Sequence, residues 1–204
     1  MMSLRETIPV RRQVSPKKKY QKYRNDLERD FNHRCGYCDD SDQFTDPRLF
    51  HIDHFAPKST FPKLKTVYEN LVYACCHCNE SKSNHWIGDD PSIPNNGNEG
   101  FVDPCRKEYD EHLARSLKGK IVARTPLGEY MVKTLKLHLE RHAYLWISRR
   151  SRKRLEETEI LAAEIGRSPN KNLVEENQYL KDIIILLNEI ERYEGLARNS
   201  TNKE

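Results

Sequence analysis

The sequence predicts an α+β protein, with two short strands and a helix set inside a mainly helical chain. Three observations lead there. Two cysteine pairs, Cys35-Gly36-Tyr37-Cys38 and Cys75-Cys76-His77-Cys78, enclose apolar runs of strand length flanked by prolines. Ahead of the first pair, Tyr20, Tyr23, Leu27 and Phe31 recur at helical spacing, and beyond the second pair two long helical patterns follow.

Taken in order, residues 1–16 read as a basic, extended arm interrupted by Pro9 and Pro16. A helix is expected from about Lys17 to Asn32, delivering the chain into the first cysteine pair, where Gly36 suits the tight turn of a zinc knuckle with NH groups aimed at sulfur. Leu49–Phe55 and Asn70–Ala74 are the two strands, and a helix from Cys78 to about Trp86 ends at Gly88-Asp89-Asp90-Pro91. Residues 89–105 form a polar linker. Glu111–Arg124 makes a hairpin turning at Lys118-Gly119-Lys120. Pro126 starts a long helix running as far as Ile165 and broken near Gly166 to Pro169, and a last helix spans Leu173–Tyr193. The domain plan is therefore a basic arm (1–16), a core (17–105), a hairpin with a helical C-terminal region (106–196) and a frayed tail (197–204).

With 204 residues the chain can bury a true core. Its composition, 36% hydrophobic and 32% charged with a mean hydropathy of −0.89, is that of a polar, soluble protein. The longest aliphatic run, Ile183–Leu187, is too short to span a bilayer and the N-terminus has no apolar signal core, so a cytoplasmic protein without membrane contact is expected. The formal charge is only +4, but it is unevenly spread. Residues 1–34 hold ten Lys or Arg against four acids, and Arg149, Arg150, Arg152, Lys153 and Arg154 form a second basic run. Such patches suit a polyanionic partner, although a charged run is also what any solvated helix face shows.

Six cysteines in a cytosolic chain argue for metal rather than disulfides. Two CxxC pairs around a long insert predict a structural zinc ion held by Cys35, Cys38, Cys75 and Cys78. His33, His51 and His77 are the alternative ligands. Cys76 and Cys105 have no general base aimed at them and read as inert thiols.

Inside the pinned segment stand His51-Ile52-Asp53-His54-Phe55-Ala56-Pro57 and Asn70-Leu71-Val72-Tyr73-Ala74-Cys75-Cys76-His77-Cys78-Asn79-Glu80-Ser81-Lys82-Ser83. From Cys35 to about Trp86 the chain closely resembles the HNH nuclease superfamily, in the variant with Asn79 where the third motif residue is often His. The resemblance implies a zinc-braced ββα-metal (His-Me finger) core and DNA phosphodiester cleavage leaving 5′-phosphate and 3′-hydroxyl ends. RNA stays open as a substrate. Phe101-Val102-Asp103-Pro104-Cys105 and Thr125-Pro126-Leu127-Gly128-Glu129-Tyr130 look like phrases of stand-alone bacterial HNH proteins, including those of antiphage defence operons.

The residues themselves suit these roles. Asp53 and Asn79 offer two oxygen ligands, which favours a hard catalytic ion, Mg²⁺ or Mn²⁺. Neighbours on a strand point to opposite sides, so Asp53 can face the ion while His54 faces a water and acts as general base. Asn70, counted with the catalytic set, suits a clamp on the loop because its amide both donates and accepts. Asn79 near a helix start, and Lys82 one turn on, are placed to meet a phosphate, with Arg149, Arg150 and Arg152 as a further backbone rail. Singly, Asp53-His54 is an ordinary polar pair and Asn79-Glu80-Ser81 ordinary helix-start chemistry; their meeting between the cysteine pairs is what points to catalysis. The expectation is a metal-dependent DNA endonuclease. The rival is a non-catalytic zinc module that binds nucleic acid or acts as an adaptor, with the C-terminal helices free to pack on the core, dimerise or dock a larger protein.

Overall fold

Two antiparallel strands, β1 (Phe50–His54) and β2 (Leu71–Cys75), pair in the register Phe50↔Cys75, His51↔Ala74, Ile52↔Tyr73, Asp53↔Val72 and His54↔Leu71. All five residues of β2 are buried, which is why Leu71-Val72-Tyr73-Ala74-Cys75 reads as a continuous apolar run rather than an alternating one. Helix α2 (Cys76–Lys82) follows β2 without a loop, and α1 (Arg24–Asp30) packs against β2. The strand, strand, helix order places the fold in the α+β class that the sequence predicts, and a computed structural model describes residues 1–167 and 172–200 of it.

The first compact unit is Met1–His138. Its core gathers Leu27 and Phe31 beside α1, Phe50 and Tyr73 stacked at 5.1 Å across the strands, and Phe101, Tyr109 and Leu113 from the segment after α2. The helix expected from Lys17 begins as a 3-10 turn at Tyr20–Tyr23 and is α-helical only from Arg24. Residues 89–105 are more than a linker, since Phe101 and Val102 are buried. The hairpin of β3 (Leu113–Arg115) and β4 (Ile121–Ala123), introduced by the short α3 (Tyr109–His112), belongs to this unit.

The N-terminal arm is not free. Met2 pairs with Arg115 on β3, and Leu4 is buried. Arg5 forms a two-bond ion pair with Asp110, and Arg11 does the same with Asp103. Arg115, almost fully buried, donates to the carbonyls of Leu4, Gly119 and Cys38 and so ties the arm, the hairpin and the first cysteine loop together.

Helix α4 (Pro126–Thr134) starts with Thr125 as its cap, the Oγ1 accepting from the Gly128 NH, and Pro126 at its first position. The long helix expected from Pro126 is broken here. Lys136 adopts φ +52°, its NH donates to Lys133, and the Leu137 NH donates back to Val132. This pair of bonds is a Schellman stop, made with Lys where Gly is usual, and it buries both Leu135 and Leu137.

The second unit, Leu139–Glu204, holds α5 (Glu140–Arg167) and α6 (Leu173–Ser200). They run antiparallel, with Ser148 bonded to Glu194 and Ser151 to Glu189. Gly166 lies inside α5, Pro169 falls outside the described residues, and α6 continues past Tyr193 and Ala197 to Ser200. Of the aliphatic run on α6, Leu186 is buried while Ile184 and Ile185 are exposed, so the stripe is only partly core. Among the described residues no helix is long and apolar enough to cross a membrane.

Candidate active site

The strands and α2 converge first on the cysteines. Cys75 closes β2, Cys78 lies in the first turn of α2, and Cys35 and Cys38 lie on the loop after α1. All four are buried, and their sulfur atoms lie within 4.8 Å of one another. A tetrahedral ion with Zn–S bonds of about 2.3 Å sets its sulfurs about 3.8 Å apart, and Cys38 Sγ and Cys75 Sγ stand at 3.7 Å. The donor set and spacing thus fit zinc. His33, His51 and His77 are not part of this cluster. Gly36 serves differently from the expected knuckle: its φ is not positive and its NH donates to the Tyr73 carbonyl at 2.8 Å. A Cβ there would sit 2.7 Å from Phe31 and 2.9 Å from Val72, so glycine is demanded by the closeness of α1 and β2. Cys105 is kept inert, burial pushing its thiol up to about 12.

His54 ends β1. Its Nε2 donates to the Lys65 carbonyl at 3.0 Å, and the ring packs edge-on against Tyr20 at 4.7 Å. A carbonyl can only accept, so the neutral ring carries its proton on Nε2 and leaves the lone pair on Nδ1. Burial is the main influence on its acidity and holds the imidazolium below its ordinary pKa; the Lys65 carbonyl opposes this, and the ammonium groups of Lys58, Lys82 and Lys65 add to it. At neutral pH His54 is therefore a free base.

Asp53, next on the strand, is buried. Its Oδ2 accepts from the Tyr37 hydroxyl at 2.6 Å and lies 3.3 Å from Lys82 Nζ. Burial raises the carboxyl above its usual range, against the pull of Lys82 and Tyr37. Lys82 has 0% side-chain exposure and also donates to the His54 carbonyl at 3.0 Å. The Lys82 side chain, expected to meet a phosphate, is thus turned inward: it neutralises Asp53 and fixes the end of β1.

Asn79 is the fourth residue of α2, beyond the free NH groups of the first turn. Its Nδ2 donates to His51 Nδ1 at 3.3 Å, which leaves Oδ1 uninvolved in that bond. His51 reaches the site because it stands two residues before Asp53 and shares its face of β1. Asn70 bridges the next loop, donating to the Ala56 carbonyl at 2.9 Å and accepting from its NH at 2.8 Å. His51, Asp53, His54 and Asn79 line one cleft of about 710 Å³, with Tyr20, Gln21, Arg24 and Lys58 at its sides. Asn70 lies outside this lining and holds the loop that follows His54.

The three arginines of the expected rail are in the second unit. Arg152 is paired with Glu194, Arg150 stacks over Trp146 at 4.8 Å, and Arg149 is buried, so the run is not an open row of cations. Tyr37, Tyr20 and His51 are the site residues that sequence reasoning missed. Only His51 gave a signal, through its period-two spacing from Asp53.

Against known proteins, residues 35–85 match the family model described as HNH endonuclease, and the chain carries an HNH endonuclease domain there. The chain is also similar to the Septu protein PtuB of Bacillus thuringiensis, 33% identical over 62 residues that make up 30% of this chain and 24% of that protein. The chain therefore spans about a quarter of the length of the curated relative it matches. No solved structure matches it.

Proposed function

We propose that this chain is a divalent-metal-dependent endonuclease that hydrolyses DNA phosphodiester bonds with His54 as general base. The observation that carries this reading is the orientation of His54: Nε2 is tied to the Lys65 carbonyl, and Nδ1 is left as the proton acceptor in the cleft shared with Asp53 and Asn79. Nδ1 takes the proton from a water as its oxygen attacks phosphorus. The bond from phosphorus to the 3′ oxygen breaks, leaving a 5′-phosphate and a 3′-hydroxyl, and that oxygen takes its proton from solvent. The Asp53 carboxylate and the Asn79 amide oxygen would hold Mg²⁺ or Mn²⁺ as hard donors, and the ion would supply stabilisation of charge on the phosphate and the leaving oxygen. Tyr37 and Lys82 hold Asp53 in place for that role, and Asn70 holds the loop after His54. Zinc on the four cysteines braces the fold and takes no part in the reaction.

A purified, zinc-loaded preparation incubated with supercoiled plasmid provides the test. Nicked or linear product in Mg²⁺ or Mn²⁺, and none without added ion, is the expected result; intact plasmid with both ions contradicts it. The likeness to the Septu protein favours antiviral defence as the biological setting.

A further inference from the structure

We propose that two lysine-bearing segments meeting at His54 hold the nucleic acid, and that Lys58 is the residue beside the phosphate to be cut. This deepens the nuclease reading above and rests on it. The first segment is the turn carrying Lys18, Lys19 and Lys22; the second is the loop after β1 carrying Lys58, Lys63 and Lys65. All six side chains are exposed. Neither residues 17–23 nor residues 57–66 contain an acid; Lys17 is paired with Asp26, and the six named lysines present positive charge at the surface.

Both segments are anchored on the same histidine. Tyr20, in the first, packs its ring against His54 at 4.7 Å, and Lys65, in the second, bonds Nε2 through its carbonyl at 3.0 Å. They touch each other as well, with Lys58 Nζ 4.8 Å from the Tyr20 ring centre and 3.3 Å from its hydroxyl. His54 thus lies in the seam between two cationic segments, where a polyanionic strand crossing the cleft is gripped from both sides.

Lys58 is singled out by elimination among the cleft's cations. Arg24 also lines the cleft but spends its guanidinium on the carbonyls of Phe50 at 2.6 Å and Pro47 at 2.7 Å. Lys82 is sealed beneath Asp53. Lys58 lines the cleft and is exposed. Flexible ammonium groups, rather than arginine forks, suit contacts to the phosphate backbone that carry no base readout, so the grip is sequence-independent.

The experiment is fluorescence anisotropy of a short fluorescein-labelled DNA duplex with the full, zinc-loaded chain over a salt series. No Mg²⁺ or Mn²⁺ is added, so that binding is read apart from cutting. Three triple variants are compared: K18Q/K19Q/K22Q, K58Q/K63Q/K65Q, and K107Q/K118Q/K133Q as the control, at exposed lysines outside the cleft lining. Each of the first two should weaken binding at least about tenfold near physiological salt and lower the slope of log affinity against log salt by about two to three. The control should leave both unchanged, and zinc content and melting temperature should match wild type throughout. In Mg²⁺, K58Q alone should lose cleavage rate and K58R should recover most of it. Wild-type affinity and slope in the two lysine variants, or their loss in the control alone, would overturn the proposal. Lysine-dependent binding by a protein that never cuts with added metal would instead defeat the nuclease reading and leave the surface standing.

Discussion

Lys82 Nζ lies 3.3 Å from Asp53 Oδ2 and 3.0 Å from the His54 carbonyl, with no solvent-exposed surface of its own. A single buried ammonium therefore neutralises Asp53 and pins the backbone of His54. Removing one partner of a buried ion pair leaves the other charged and stranded.

Lys82→Met is accordingly expected to cost about 3 kcal/mol of stability, read as a shift in the urea midpoint, while leaving the affinity for a DNA duplex measured without added metal close to wild type. A large loss of DNA affinity in a variant that stays folded would return Lys82 to the phosphate-contact role.

Tyr37→Phe removes the hydroxyl that donates to Asp53 Oδ2 at 2.6 Å. The change should cost about 1–2 kcal/mol and leave Asp53 less well oriented. The Mg²⁺ concentration for half-maximal cleavage should rise several-fold at an unchanged zinc content. Identical Mg²⁺ titrations for variant and wild type would show that Tyr37 only packs.

Zinc removal should unfold the first unit rather than merely silence it, because an ion on the four cysteines would join the α1 loop to β2 and α2. Cys78→Ser, or wild type stripped with a zinc chelator, is expected to lose its cooperative thermal transition in residues 1–138, followed by hydrogen exchange of β2. Protected β2 amides in a zinc-free sample would contradict this.

Asp30 supplies the pH dependence. Burial alone would raise its pKa, but the Arg12 NH at 2.7 Å, the Tyr68 hydroxyl at 2.8 Å and Arg29 bring it below the ordinary value of 3.8. A folded-state pKa below the unfolded one gives stability that is complete above the unfolded pKa and disappears as pH falls through the folded one. Asp30→Asn should therefore cost about 2 kcal/mol at neutral pH, and the gap from wild type should close below about pH 4. A gap that persists unchanged at pH 3 would remove the charge from the explanation.

Much of this was legible in the sequence, and the rest was hidden for physical reasons. The cysteine pairs located the buried four-cysteine cluster because metal ligation ties residue type to spacing, and the short apolar runs located β1 and β2. Period-two alternation could have flagged His51. Nothing local, however, says that Lys82 turns inward: lysine is almost never fully buried, and the partner that permits it lies on a strand far back in the chain. Tyr20 and Tyr37 likewise acquire their roles only when the chain closes. The helix stop at Lys136 escaped notice because its left-handed residue is not glycine, and what forces it is the burial of Leu135 and Leu137. The arm's Arg5 and Arg11 read as open charge until Asp110 and Asp103 arrive from the far end of the unit.

In the proposed reaction His54 removes the proton from the attacking water. Plasmid cleavage in Mg²⁺ or Mn²⁺ by wild type and by His54→Ala, both carrying full zinc and melting alike, tests it most directly. The variant is expected to lose at least about two orders of magnitude in rate while binding DNA as wild type does. Equal cleavage by the two proteins would contradict it.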